Sequence, residues 1–200
     1  MVRPSLGTGD LLLATREGLA IRFSEDEVRT MGRTAKGVRG IEVGKTDELV
    51  TALAPRRDSE LLVVGADGLG KRVPFTELKR QGRAGKGMAL LPDTDRAGLL
   101  VGVLAVHPGD LGMCELASGE VVPISVDSLP VKPRRGSSAR IDALSGRAGP
   151  IVALHPLRAS SGEEPNDVED EESDAVVEDP GADMDTGADS QGEAQAELEL

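Results

Sequence analysis

The chain has 200 residues, with 23 Lys and Arg, 35 Asp and Glu and a formal net charge of −12, which is enough for one domain and a tail. It contains no Trp or Tyr, two Phe and one Cys, and this composition excludes an internal disulfide and an aromatic core. No stretch approaches the ~18 apolar residues of a membrane helix, and the N-terminus does not have the pattern of a signal peptide. We therefore expect a reduced, cytoplasmic protein without membrane contact.

Charge divides the chain into two unlike parts. All 23 basic residues lie at or before Arg158, whereas residues 159–200 hold 16 acidic residues and no basic one. The part up to Arg158 thus carries 23 basic against 19 acidic side chains, a net charge of +4, and a mildly basic body suits a polyanionic partner. Residues 159–200 lack aromatic residues and have few large aliphatic ones. They are predicted to form a disordered acidic tail.

Three related segments of about fifty residues follow a lead-in at residues 1–9. They begin with "DLLLATREG" at Asp10, "ELLVVGADG" at Glu60 and "DLGMCELASG" at Asp110. Gly18 matches Gly68 and, after a one-residue insertion, Gly119. Self-similarity at this period is typical of propellers and other repeat arrays.

Each repeat has the pattern of a propeller blade. An apolar run meets a glycine-bearing turn and a second alternating run, which indicates a hairpin. A polar crossover, a glycine-rich loop and further strands ending in "ELVTALA", "LLVGVLAV" and "PIVALH" follow. Four short strands per repeat predict an all-β, propeller-like domain at 10–158, a partial ring of about three four-stranded blades at 10–59, 60–109 and 110–158.

The glycine-rich loops are strongly basic. Residues 31–41, "MGRTAKGVRGI", and residues 81–91, "QGRAGKGMALL", carry Gly, Arg, Lys and Gly at matching positions. The third repeat has "KPRRG" but places Ser137 and Ser138 where Lys86 and Gly87 stand in the second. Glycine gives backbone freedom, and Lys and Arg neutralise phosphates. Cations repeated at one point of successive blades predict an arc of phosphate contacts that bends a duplex, although solvated turns are the simpler alternative for any single loop.

Eight cations are the predicted phosphate-binding residues: Arg33, Lys36, Arg39, Arg80, Arg83, Lys86, Arg134 and Arg135. Such contacts position DNA without reading its sequence. Arg22, Lys71 and Arg72 follow the hairpin turns, where a structural role is an equally good expectation.

Other chemistry finds little support in the sequence. The "GRAGKG" loop lacks the first glycine and the Ser or Thr of a nucleotide-binding P-loop, since Arg80 and Gly87 occupy those places. His107 and His155 stand without a cysteine or carboxylate cluster, and Cys114 is most simply a small core residue. We expect no metal, no cofactor and no catalytic residue.

The motifs "IRFSEDEVRTMGRTAKGVRGI" and "KRVPFTELKRQGRAGKGM" resemble the C-terminal DNA-wrapping domain of DNA gyrase A and the related domain of topoisomerase IV. The resemblance covers residues 10–156, and "QGRAGKG" agrees with five of the seven residues of the family signature. It implies a β-pinwheel whose neighbouring blades exchange strands and whose basic rim bends double-stranded DNA. Type II topoisomerases cleave DNA through a tyrosine, which this sequence lacks, so the resemblance implies a non-catalytic module. It further implies association with gyrase or topoisomerase IV subunits and with the nucleoid.

The chain also departs from the family. The family usually has about six blades where this sequence has three, in an order that resembles the last three. A fragment, a split gene product and a reduced paralogue all fit, as do gyrase and topoisomerase IV ancestry. Exposed strand edges at both ends of a partial ring would invite pairing with a second copy. The alternative function is a protein-interaction fragment that docks onto gyrase without wrapping DNA.

Overall fold

The three repeats form antiparallel β-sheets that pack against one another in chain order. The structure, a computed structural model, describes residues 9–157. The predicted acidic tail at 159–200 lies outside the described residues, and the predicted domain bounds remain a prediction. Within residues 9–157 nearly all regular structure is β, as the repeats predicted. None of the helices there is long and apolar enough to cross a bilayer.

The strands follow the predicted hairpin pattern. A glycine with positive φ closes each hairpin, at Gly18, Gly68 and Gly119, and a single 3₁₀ turn follows each second strand. The first repeat contributes β1 (Asp10–Thr15), β2 (Leu19–Ser24) and β3 (Leu49–Leu53); the second contributes β4 (Glu60–Gly65), β5 (Leu69–Pro74), β6 (Met88–Ala89), α1 (Thr94–Ala97) and β7 (Leu100–Val106); the third contributes β8 (Leu111–Leu116), β9 (Val121–Ser125), β10 (Ala139–Arg140) and β11 (Ile151–Leu157).

Neighbouring repeats exchange strands, as the family resemblance implied. The first sheet has the order β3-β1-β2-β6, and the second has the order β10-β5-β4-β7. In each of these sheets the short outer strand comes from the following repeat, with Leu19 opposite Ala89 and Leu69 opposite Arg140. The third sheet, β11-β8-β9, has three strands among the described residues. Within residues 9–157 the expected four strands per blade are therefore present in the first two blades, and the third has three.

The core lies between the blades. Leu61 and Val63 of β4 pack with the first blade, whereas Leu62 and Val64 pack with the third. Because both faces of β4 are covered, its sequence "LLVV" is continuously apolar. The first strand, β1, instead alternates between buried and half-buried residues, since one of its faces has no neighbouring blade in the described part of the chain.

One arginine ties each blade to the next. Arg22 Nε donates to Asp10 Oδ2 (2.7 Å), and its Nη1 donates to the carbonyl oxygen of Leu78 in the second blade (3.0 Å). Arg72 repeats the arrangement one blade on, with Nη1 donating to Glu60 Oε2 (3.1 Å) and Nε to the carbonyl oxygen of Leu129 (2.8 Å). Both side chains are therefore structural, which is one of the two roles that the sequence allowed for them beside phosphate binding.

The structure places the single-residue insertion earlier in the chain than the comparison of the repeats did. Glu60 pairs with Pro74 at the start of the second hairpin, and Leu111 pairs with Ser125 at the start of the third. Leu111, rather than Asp110, is thus the counterpart of Glu60, and the third hairpin is shifted by one residue throughout. The extra residue lies before β7, where α1 occupies a segment that has no helix in the first repeat.

Candidate nucleic-acid interface

Each of the three basic loops follows the 3₁₀ turn of its repeat. We define them as the first loop (31–41), the second loop (81–91) and the third loop (132–138). The second loop contains β6, which pairs with β2 of the first blade, and the third loop leads into β10, which pairs with β5 of the second. Strand exchange therefore carries each later loop across a blade junction and places it beside its neighbour.

The first and second loops are hydrogen-bonded to each other. The Ala84 amide donates to the carbonyl oxygen of Gly40 (2.6 Å), and the Glu42 amide donates to the carbonyl oxygen of Gly85 (2.9 Å). Arg83 Nη1 adds a bond to the Arg39 carbonyl oxygen (3.2 Å). These contacts hold two clusters of cations side by side.

The second and third loops share one of these contacts and add another. Arg134 Nη1 donates to the carbonyl oxygen of Ala89, which repeats the bond from Arg83 to Arg39. Asp93 accepts hydrogen bonds from the Ser138 amide (2.8 Å) and hydroxyl (3.1 Å). The serine that replaces Gly87 in the third repeat thus anchors the loop to the second blade.

A buried lysine fixes the third loop from below. Lys71 is fully buried, and its Nζ donates to the carbonyl oxygens of Arg134 (2.8 Å) and Gly136 (2.6 Å). Burial lowers the pKa of Lys71, and the nearby Asp93 carboxylate opposes that shift. Ile21 occupies the matching position in the first blade and lies beneath Gly85 of the second loop. Lys71 is therefore a structural residue and not a solvent-facing cation.

Two matching loop glycines have a left-handed backbone. Gly37 has φ +80° and Gly87 has φ +76°, a region in which only glycine is unstrained. A Cβ on Gly87 would lie 2.6 Å from the Ala20 carbonyl oxygen. Ser138, the counterpart of Gly87, is absent from the described residues with positive φ, so the third loop follows a different path.

The predicted phosphate-binding residues differ in their surroundings. Arg134 is half-buried and committed to Ala89, whereas the other seven are exposed. Arg80 lies 2.5 Å from Asp10 Oδ1 in an ion pair. Five are exposed and form no side-chain hydrogen bond or ion pair within residues 9–157: Arg33, Lys36, Arg39, Lys86 and Arg135.

A basic cleft between the first two blades was missed by the sequence analysis. It has a volume of about 940 Å³ and is lined by Arg56, Arg57, Lys79 and Arg80, among others. The linker "APRRD" supplies two of these arginines, and in the register of the strands its counterpart in the second repeat is "AVHPG". A double arginine between strands was the available signal, but it does not recur in register and so drew no attention.

The remaining polar candidates form no site within residues 9–157. No group of three or more His, Cys, Asp or Glu side chains there is arranged to hold a metal ion. His107 Nε2 lies 3.9 Å from Asp58, and His155 Nε2 lies 3.4 Å from Glu115. Cys114 is buried among apolar side chains, and that burial raises its pKa to about 11.

Strand-exchanged blades with a basic loop at each junction define an all-β protein of the β-pinwheel class. Residues 9–56 and 59–107 match the family model described as DNA gyrase C-terminal domain, beta-propeller. DNA gyrase A of Pseudomonas aeruginosa is 30% identical over 193 residues, which are 96% of this chain and 20% of that protein. DNA gyrase A of Deinococcus deserti is 36% identical over 153 residues, 74% of this chain and 19% of that protein. The chain belongs to the DNA gyrase C-terminal domain family.

Solved structures agree on the fold. The C-terminal domain of DNA topoisomerase IV superimposes with a TM-score of 0.71 at 22% identity, covering 80% of this chain and 50% of that one. The DNA gyrase A C-terminal domain gives a TM-score of 0.67 at 19% identity, covering 76% and 51%. This chain thus spans about half of those domains and about a fifth of the two curated relatives.

Proposed function

We propose that the chain is a non-catalytic module that binds double-stranded DNA along its three basic loops and bends it. The observation that carries the proposal is the direct bonding of each loop to the next, through Ala84 and Gly40 and through Arg134 and Ala89. Side-by-side loops present their cations as one continuous ribbon. A duplex that followed such a ribbon across successive blades would be bent by its phosphate contacts.

The chemistry of the ribbon favours the DNA backbone over the bases. Arg33, Lys36 and Lys86 are exposed and have no acidic partner within residues 9–157, so they are available to displace counterions from phosphates. Arg134 and Arg80 already hold intramolecular partners, so we assign them to shaping the ribbon more than to contacting DNA. Arg83 also donates to a backbone carbonyl oxygen, but it is exposed and keeps further N–H groups for phosphates. Binding through phosphates makes the module indifferent to sequence.

The relatives suggest where such a module works. Because they are DNA gyrase A proteins and the similar domains come from gyrase and topoisomerase IV, we propose that it assembles with subunits of one of these enzymes. Bending DNA there would support supercoiling by presenting a curved segment to the cleaving part. The cytoplasmic, nucleoid-associated location expected from the sequence belongs to the same proposal.

The test removes the ribbon charge and measures salt dependence. The variant Arg33→Ala/Lys36→Ala/Arg83→Ala/Lys86→Ala eliminates up to four phosphate contacts. The slope of log affinity against log salt should then become shallower by about 3 to 4, since each contact contributes ~0.9. A duplex of random sequence titrated from low to moderate salt supplies the data, and circular dichroism checks that the blades remain folded.

A matched control removes the same amount of charge elsewhere. Arg16, Lys45, Arg96 and Arg147 are exposed and lie outside the loops, so their combined alanine variant should lower affinity through net charge alone. If both variants flatten the slope equally, the ribbon is not the binding surface. If the unmodified chain does not bind duplex at low salt, DNA binding itself is wrong.

That second outcome would favour the alternative, a module that docks onto a topoisomerase without wrapping DNA. One observation supports docking in particular. The first blade carries an apolar groove of about 450 Å³ that is lined in part by Leu13, Val38 and Leu49. The groove lies on the face of this blade against which no other described blade packs. The groove is also lined by Met31 and Arg39 of the first loop, so a partner docked there and DNA on the ribbon would share that loop.

A further inference from the structure

The two blade junctions share one design, and it defines what a blade edge needs in order to receive another blade. The edge strand carries an arginine, Arg22 or Arg72, which pairs with a carboxylate on the adjacent strand, Asp10 or Glu60. The arginine backbone also bonds to the next blade, with the carbonyl oxygens of Arg22 and Arg72 accepting from Gln81 (2.7 Å) and Lys132 (2.8 Å). The Arg72 amide further donates to the Pro130 carbonyl oxygen (3.1 Å).

The third blade lacks this design on its outer edge. By the strand register, Pro123 of β9 stands where Arg72 stands in β5, and Leu111 stands where Glu60 stands in β4. Proline has no amide hydrogen, so the bond that the Arg72 amide makes cannot form at β9. Proline on an edge strand is a recognised block to strand addition. Both members of the arginine–carboxylate pair are therefore gone.

The outer face of the third blade is also polar where the other blades are apolar. Glu115 occupies the register position of Val64 and Ala14, which are both fully buried against the next blade. Its carboxylate lies 3.4 Å from His155 Nε2, and both side chains are about half exposed. A repeat array ends in a blade whose outer face tolerates water, and Glu115 with His155 supplies such a face.

The first blade shows the opposite character. Leu11, Leu13 and Val28 pack only partly against the small cluster of Ile21, Phe23 and Ile41, and Leu49 is 49% exposed. Val38 and Arg39, the counterparts of β6, have no cross-strand partner among the described residues. Asp26 is exposed at the position where Asp127 accepts from Arg72 (3.1 Å). This face has the parts that receive an arginine-bearing edge.

We propose that the third blade is a terminal blade, closed to strand addition by Leu111, Glu115 and Pro123, and that the chain joins further blades only through the face of the first. The occupant of that face is the edge of a blade with an arginine and a carboxylate at the positions of Arg72 and Glu60. A second copy of this chain does not qualify, because its free edge is β9. The second-copy pairing expected from two exposed edges is thereby replaced by one-way assembly, and DNA binding plays no part in the argument.

The experiment opens the closed edge. Leu111→Glu/Glu115→Val/Pro123→Arg copies Glu60, Val64 and Arg72 onto the third blade and should produce head-to-tail association with the first blade of another copy. Sedimentation from micromolar to submillimolar concentration should show a mass that grows for this variant. Adding Met31→Pro removes the amide that corresponds to Gln81, and this fourth change should reverse the association.

The unmodified chain provides an independent reading that does not depend on the variant folding. Hydrogen exchange of the β9 amides should be the same at low and high protein concentration. Protection of those amides that rises with concentration would show that β9 accepts a partner and would overturn the proposal. A triple variant that is folded by circular dichroism yet keeps the mass of one chain would also overturn it, because these three residues would then not be what closes the edge.

Discussion

Gly37 and Gly87 are a matched pair for measuring how much unfolding free energy is lost when alanine replaces glycine in the loop backbone. Both have φ near +80°, so alanine at either position meets the left-handed penalty of roughly 1 kcal/mol. A Cβ at Gly37 would meet no described atom within 4 Å. Gly37→Ala should therefore lower the free energy of unfolding by only about this amount, and Ala84, at φ +67° in the second loop, is a native example of that conformation.

Gly87→Ala adds a collision to the same backbone penalty. Its Cβ would lie 2.6 Å from the Ala20 carbonyl oxygen and 2.9 Å from the Ala20 carbonyl carbon, both backbone atoms of β2 next to the pairing with Met88. Relieving the clash requires β6 to move away from β2, which adds the cost of overpacking, roughly 1 to 3 kcal/mol. We expect a total loss of about 2 to 4 kcal/mol.

Urea unfolding followed by circular dichroism measures both variants against the parent chain. The decisive quantity is the difference between them, since the denatured-state effect of Gly→Ala is common to both. If Gly87→Ala is no more destabilising than Gly37→Ala, the close approach of the second loop to β2 is not the reason for glycine at position 87. A larger loss of unfolding free energy for Gly37→Ala than for Gly87→Ala would refute the reasoning altogether.

Four further outcomes follow from the charges and burial. Deleting residues 159–200 should tighten DNA binding at low salt, because 16 tethered carboxylates compete for a +4 body; equal affinities with more precipitation would leave the tail a solubility role only. Burial raises the pKa of Cys114 from 9.0 to about 11, so at pH 8 its thiolate fraction, and with it disulfide-reagent labelling of the folded chain, should be at least ~100-fold lower than in urea. The same shift should make Cys114 subtract stability as pH rises from 9 to 11, a slope that Cys114→Ala should remove from urea titrations. Arg72→Ala should cost about 2 to 4 kcal/mol, whereas Arg57→Ala, at an exposed position, should cost almost nothing by urea unfolding.

The repeat organisation could be predicted because it depends on local chemistry. Gly18, Gly68 and Gly119 all have positive φ, and a turn that requires this conformation marks the hairpins in the sequence itself. The alternation of apolar residues predicted strands because it, too, is a local feature of the sequence. Strand exchange could not be derived this way, because β6 has only two residues and too little pattern to indicate a partner. It entered through the family resemblance.

The differences among the basic residues were beyond sequence reasoning. Arg134 and Arg135 are neighbours with the same side chain, yet Arg134 donates to Ala89 and Arg135 is exposed. What separates them is the anchoring of the third loop by Lys71 and Asp93, two residues from the preceding repeat. Lys71 itself has the composition of a surface cation, and only the path of the third loop over the second blade buries it.

Because the outer strand of each of the first two sheets comes from the following repeat, these blades can be completed during synthesis only after that repeat has been made. The first sheet lacks its outer strand until Ala89 has been made, 70 residues after its partner Leu19, and the second lacks its own until Arg140, 71 residues after Leu69. A nascent chain therefore always leaves the ribosome with one blade waiting for the next. That edge is exposed for several seconds at usual rates of translation, and it is the point at which a chaperone, or a premature stop, would find the protein unfinished.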